Sequence, residues 1–195
     1  MKKIALIGFL AFVSLNTHGQ NFENQQVYLN YSIGGGKYLT GNLSLGYTGQ
    51  SGLVLAGGVQ FMTRQATNIP DDYVSANKPF EDVSFFYLAS GKSWRINTGS
   101  WRINLTAGLG IAQKKQPTDF VRSSQLITSI FGSGYEYDYA VNYSSEVGFI
   151  QKGHIEVDIS RVFGLGLGYT LMFSSNTSLV SGEVLFFIGL VRDKK

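Results

Sequence analysis

The sequence predicts an all-β fold, an eight-stranded antiparallel up-and-down transmembrane β-barrel behind a cleaved signal peptide. Three observations predict it. Apolar and polar residues alternate with a period of two over eight runs of about 9–14 residues, the pattern of strands with unlike faces. Such runs match the roughly 9–11 residues that a tilted strand needs to cross a bilayer and exceed the ~5–6 of a typical soluble strand. Several runs build one face from glycine and other small residues, which suits the inside of a narrow barrel.

The chain opens on Met1-Lys2-Lys3, continues through the apolar run Ile4–Leu15 and reaches Asn16-Thr17-His18-Gly19. A basic start, a short apolar middle and small residues beside a cut site describe a secretory signal peptide. The run is too short for a spanning helix, which needs about 20 residues. The expected division is a signal peptide over residues 1–19 and a single barrel domain over 20–195. Cysteine is absent, which excludes disulfides, a lipid-modified N-terminal cysteine, thiolate metal sites and thiol catalysis. Lys2 and Lys3 leave with the signal, taking Lys+Arg from 16 to 14 against 13 acids, a net of +1. No basic run of five or more occurs, so nucleic acid is not an expected partner. Glycine (24), tyrosine (11) and phenylalanine (14) with only 3 prolines suit many twisted strands.

Strand 1, Gln26–Gly34, sets Val27, Leu29, Tyr31 and Ile33 on one face, and Gly34–Lys37 turns the chain. Strand 2, Tyr38–Thr48, opposes Leu39, Leu43, Leu45 and Tyr47 to Thr40, Asn42, Ser44 and Gly46. Strand 3, Gly52–Thr63, opposes Leu53, Leu55, Val59 and Phe61 to Ala56, Gly58 and Gln60. A polar loop, Arg64–Glu81, follows. Strand 4, Asp82–Trp94, places Val83, Phe85, Tyr87 and Ala89 on the expected outer face, and Asp82, Ser84, Ser90 and Lys92 with Phe86 and Leu88 on the inner one. Strand 5, Trp101–Gln113, alternates Trp101, Ile103, Leu105, Ala107, Leu109 and Ile111 with Arg102, Asn104, Thr106, Gly108, Gly110 and Ala112.

A long excursion, Lys114–Ser145, comes next. Thr118–Phe131 reads either as a short helix, capped by Thr118 or Asp119 and stopped by Gly132, or as an extended hairpin standing above the membrane. Strand 6, Glu146–Ile159, carries Lys152, His154, Glu156 and Asp158 opposite Val147, Phe149, Ile155, Val157 and Ile159. Strand 7, Phe163–Phe173, opposes Phe163, Leu165, Leu167, Tyr169 and Leu171 to Gly164, Gly166, Gly168 and Thr170. Strand 8, Val180–Val191, alternates weakly, with Val184, Phe186, Ile188 and Leu190 on one side and Glu183, Leu185 and Phe187 on the other.

Two barrels fit such alternation, a lipocalin-like one with its apolar face inward and a membrane one with that face outward. Glycine decides for the second, because the bulky faces of strands 5 and 7 need room that only the outside offers. Charge agrees, since Lys or Arg facing lipid would cost about 2–4 kcal/mol. The charges are expected to pair inside as a lumenal network of Lys92, Arg102, Lys152, His154, Glu156, Asp158 and Glu183. Connections after strands 2, 4 and 6 are short, and those after strands 3 and 5 are long, the asymmetry of periplasmic turns and external loops.

The signal peptide, the eight alternating strands, the run Gly-Leu-Gly-Leu-Gly-Tyr-Thr at Gly164–Thr170 and the apolar last strand together resemble the small OmpA-like or OmpX-like outer-membrane β-barrels of Gram-negative bacteria. The resemblance covers the whole mature chain and rests on pattern, not on signature residues. It implies a porin-like architecture in the bacterial outer membrane, reached through a signal peptide, and a last strand that serves as assembly signal. Gly182, Leu185 and Phe187 approach that signal's spacing, and Arg192–Lys195 extends past it.

Chemistry-bearing motifs are few. His154 is the single mature histidine. Paired with Glu156 or Ser144 it would act as a base in a lipid A-modifying enzyme, but its parity sets it among lumenal charges. One histidine does not make a zinc site. Gly34-Gly35-Gly36-Lys37 lacks the frame and helix of a phosphate loop. Tyr135, Tyr137 and Tyr139 recur at period two, an aromatic patch that is a candidate external contact surface or an interfacial belt. The expectation is a monomeric barrel with no catalytic residue, metal or cofactor. It would contact outer-membrane lipid and engage a surface or envelope protein through its loops. The alternatives are a narrow transport barrel, the lipid A enzyme and a soluble lipocalin-like binder.

Overall fold

The structure is a computed structural model that describes residues 25–74, 78–96, 100–129, 132–160 and 162–192, with side-chain surroundings described outside 124–133 and 190–192. The expected signal peptide lies outside these residues. Eight strands follow in order: β1 (Gln26–Gly36), β2 (Leu39–Thr48), β3 (Leu53–Gln65), β4 (Phe80–Ile96), β5 (Trp101–Ser129), β6 (Gly132–Asp158), β7 (Phe163–Ser174) and β8 (Ser178–Arg192). Each pairs antiparallel with its sequence neighbour, and β1 pairs with β8 from Gln26↔Arg192 to Gly36↔Ser181, closing the barrel. Closure satisfies every sheet edge within the wall, which is what a strand protein needs in lipid. Among the described residues the chain forms no helix.

Register fixes the facing, because one step along a strand reverses it. Leu29, Tyr31 and Ile33 of β1, Leu43 and Leu45 of β2, Leu55 and Phe61 of β3, Phe86 and Leu88 of β4, Leu109 and Ile111 of β5 and Leu167 and Phe173 of β7 are all exposed on the outer wall. Their partners in alternation, such as Asn42, Ser44, Gln60 and Thr170, are buried. The wall therefore carries an apolar band around a filled lumen. The ladder and this band make the chain a small transmembrane-type β-barrel.

The facing of β4 needs correction, and of the two readings of the excursion the extended hairpin holds. On β4, Val83, Phe85, Tyr87 and Ala89 point into the lumen, and Phe86 and Leu88 point out. The strand is apolar on both faces because the lumen at its level is itself apolar. The excursion contains no helix in its described part. β5 and β6 run on as a two-stranded ribbon, paired from Gln116↔Asn142 to Ser129↔Gly132. Irregularities between Thr118 and Val121 and between Arg122 and Leu126 absorb extra β5 residues, and Asp119 takes the left-handed φ of 53° there, a value that Asp tolerates better than most residues. β4 leaves β5 at Lys115, and β7 leaves β6 at Gly148. The ribbon beyond reaches roughly 40 Å at the usual rise per residue.

Candidate functional site: the packed lumen and the projecting ribbon

The lumen is layered along its axis. Nearest the chain termini, Arg102 of β5 donates from Nε to Glu156 Oε2 of β6 at 2.6 Å and from Nη1 to Gln26 Oε1 of β1. Asp158 Oδ1 stands 3.7 Å from Nη2. The guanidinium lies over the Phe187 ring at 4.5 Å and the Tyr28 ring at 5.6 Å, a favourable stacking of cation on π-faces. One layer up, Glu183 of β8 collects Ser32 Oγ at 2.9 Å, Gln60 Nε2 at 3.1 Å and Lys152 Nζ at 3.8 Å. His154 sits between the two layers, with Nδ1 3.9 Å from Glu156 and Nε2 3.9 Å from Glu183.

Above these charges the lumen turns apolar. Phe85, Ile150, Met172, Leu179, Val83 and Met62 are essentially fully buried and pack as one cluster with Tyr38, Tyr87, Ala89 and Ala112. Glycines of the facing strands make room for the rings. A Cβ at Gly110 or Gly148 would lie 2.8 Å from the Phe85 ring, and one at Gly46 or Gly164 would collide with Tyr28 or Phe187. At the far rim, Glu81 accepts from Arg64 Nη2 at 2.7 Å, from Tyr38 OH at 2.8 Å, and pairs with Lys114 Nζ at 3.1 Å. The outward residues at this level, Thr63 and Asp82, are polar and bonded to each other, so the rim cluster lies past the apolar band. Burial pushes the Glu81 carboxyl up, but Arg64, Tyr38 and Lys114 together hold it below its ordinary value.

The structure brings together Arg102, Lys152, His154, Glu156, Asp158 and Glu183. It does not bring Lys92 to them. Lys92 stands opposite the outward Leu53, and its Nζ donates to Ser51 O at 2.6 Å; inner and outer faces had been exchanged on this strand. Sequence reading missed Gln26, Tyr28, Ser32 and Gln60, which are neutral, and the Glu81 cluster, assigned to a loop although β3 and β4 continue to Gln65 and Phe80. The acid–cation composition of Arg64, Glu81 and Lys114 was the available signal. For His154, Glu156 is near, but Ser144 lies opposite Lys114 at the far rim, ten residues along the same strand or roughly 33 Å away, so that pairing does not form. Among the described residues no cluster of three or more His, Cys, Asp or Glu could hold a metal ion.

Beyond the barrel, the loop after β3 braces the ribbon. Tyr135 N donates to Asp72 O at 3.0 Å, and Val74 N donates to Tyr135 O at 3.1 Å. Tyr73 stacks on Tyr137 at 5.9 Å and meets the edge of Phe120 at 6.4 Å, and Phe120 packs on Tyr139 at 5.6 Å. Asp72 accepts from Tyr137 OH at 2.6 Å, an acceptor that raises the phenol above its usual range. Gly134 fits because any Cβ there would strike Val74 and the Asp72 carbonyl. Arg122 lies over the Tyr135 ring at 3.2 Å. Of the predicted contact patch, Tyr135 and Tyr137 are thus engaged within the protein, and Tyr139 is exposed together with Val141 and Tyr143.

No protein-family model matches the sequence, and no curated protein does. Among solved structures, the chain is similar to the N-terminal β-barrel domain of Pseudomonas aeruginosa OprF, at 10% identity and a TM-score of 0.49 over 89% of this chain and 100% of that one. It is similar to neisserial surface protein A, at 11% identity and a TM-score of 0.47 over 85% and 94%. It is also similar to Ail, the attachment invasion locus protein of Yersinia pestis, in complex with the heparin analogue sucrose octasulfate, at 14% identity and a TM-score of 0.44 over 85% and 95%. The barrel assignment rests on the closed ladder and the apolar band, not on these likenesses.

Proposed function

We propose that the protein is a monomeric, non-catalytic outer-membrane barrel that acts as a rigid mount for the β5–β6 ribbon, which engages a surface or envelope protein. One observation carries the reading: the ribbon is held upright by the Asp72–Val74 segment and by the Tyr73–Phe120–Tyr137 ring cluster, above a lumen that side chains fill. Ordering a long hairpin in advance lowers the entropy that a binding partner must remove. Loops on a rigid scaffold are the usual place for recognition.

The filled lumen weighs against transport. A solute passing between the Glu183 and Glu81 layers would have to displace Phe85, Ile150, Met172 and Leu179, all at 0% exposure. It weighs equally against the lipid A enzyme, because both His154 nitrogens face carboxylates inside the barrel, away from any lipid substrate. Fractionation, gel migration before and after heating, and crosslinking in intact cells from Val121, which is exposed on the ribbon, test the reading together. Heat-dependent migration of an outer-membrane protein and a discrete crosslinked partner are expected. A soluble protein, or steady conductance in planar bilayers, would overturn it.

A further inference from the structure

Directly past the apolar band, on the outer wall, β3 to β6 and the end of the β3–β4 loop enclose a groove of about 690 Å³. Phe80, Pro117, Tyr139 and Val141 supply apolar and aromatic lining, and Lys78 and Lys115 supply positive charge. Phe80 is 55% exposed and Tyr139 43%, and both lysines are exposed. Among the described residues neither lysine forms an ion pair, whereas the adjacent Lys114 turns inward to Glu81. Asp82 is the one carboxylate of the lining, and it accepts from Thr63 Oγ1 at 2.7 Å. The groove is therefore net positive.

Its place in the ladder decides what it fits. Asp82, Lys115 and Tyr143 form one outward row across β4, β5 and β6; toward the termini it is followed by polar Ser84, Gln113 and Ser145, and then by Phe86, Ile111 and Val147, whereas Pro117 and Val141 lie one outward step farther from the band. A lipid lying against Phe86, Ile111 and Val147 brings its headgroup past the polar row to Lys115, at the membrane side of the groove. Lysine stems lying along aromatic surface with their charge toward the interface are the expected arrangement at such a depth.

We propose that this groove binds the phosphate-bearing headgroup of an anionic lipid. Lys78 and Lys115 face the phosphate, with Lys115 on the membrane side of the groove, and Phe80, Val141 and Tyr139 flank the headgroup on the side away from the band. The proposal rests on the membrane reading above. A basic residue at a charged membrane surface is worth about fivefold in affinity, so the pair is worth roughly thirtyfold.

The test uses the whole barrel, first inserted into phosphatidylcholine vesicles, then in detergent micelles titrated with phosphatidylglycerol and read by native mass spectrometry. Heat-modifiable insertion into the neutral vesicles checks the barrel alone, so failure there refutes the membrane reading and not only the groove. In micelles, Lys78→Gln/Lys115→Gln is expected to weaken phosphatidylglycerol binding roughly thirtyfold and to leave phosphatidylcholine binding unchanged. Lys37→Gln, at an exposed turn of the same barrel end, is expected to change neither. Should the double variant fail to insert, Lys115→Gln alone is expected to show about fivefold weakening. A loss under threefold in the double variant, an equal loss in Lys37→Gln, or displacement of the lipid by millimolar inorganic phosphate would overturn the assignment.

Discussion

Removing the Glu156 carboxylate strikes a deeply buried ion pair of the lumen. Glu156 and Arg102 are 1% and 5% exposed, and Arg102 Nε reaches Glu156 Oε2 at 2.6 Å. Taking away one partner of a buried pair costs about 3–5 kcal/mol, because the remaining charge keeps its desolvation penalty. In Glu156→Leu the guanidinium retains Gln26, the Phe187 and Tyr28 rings, and Asp158 at 3.7 Å. The expected loss is therefore at the low end, about 3 kcal/mol. Replacing both partners relieves the stranded charge, so Arg102→Met/Glu156→Leu is expected to be less destabilised than Glu156→Leu alone. The coupling should fall within the ~0.5–3 kcal/mol of residues in direct contact. Urea unfolding in vesicles under reversible conditions measures all three variants, and the neighbouring Trp101 serves as a fluorescent reporter. A Glu156→Leu loss below about 1 kcal/mol, or strict additivity, would refute the buried pair.

Further outcomes follow from other layers. Gly164→Val drives a side chain into the Phe187 ring. It should lose about 1–3 kcal/mol, and Phe187→Leu in the same chain should recover part of this in the same unfolding assay. The Glu81 carboxyl is depressed in the folded state. Its contribution is thus fully present above its unfolded value of 4.5 and is lost as pH falls through the lower folded value. Glu81→Gln should flatten the acid limb of unfolding free energy against pH, and an unchanged slope would contradict the rim cluster. Tyr137→Phe removes the bond to Asp72 and should speed proteolysis in the 66–79 loop without changing heat-modifiable migration of the barrel.

The alternation in β1, β2, β5 and β7 was legible because one side of each is bulky and the other polar or tiny. Leu43 and Leu45 against Asn42 and Ser44 admit one facing. β4 was not legible. Phe85 and Phe86 are neighbours of equal hydropathy, and only one has glycines opposite it, a pairing with Gly110 and Gly148 that appears across strands and not along one. The polar network was readable where charges cluster on one strand, as at Lys152, Glu156 and Asp158. Lys92 shows the limit, since a charge at a strand end reaches the turn carbonyl of Ser51 instead of the lumen. In the excursion, the irregular β5 spacing around Asp119 disguised a strand. The regular tyrosines of β6 announced one.

The orientation of the wall is open to direct measurement. The chain has no cysteine, so single replacements at Asn42, Leu43, Ser44 and Leu45 of β2 each carry one spin label. Collision with oxygen, which concentrates in lipid, should be high at 43 and 45 and low at 42 and 44, a period of two along the strand. Equal collision at all four positions, or high values at 42 and 44, would contradict an apolar band facing lipid around a filled lumen.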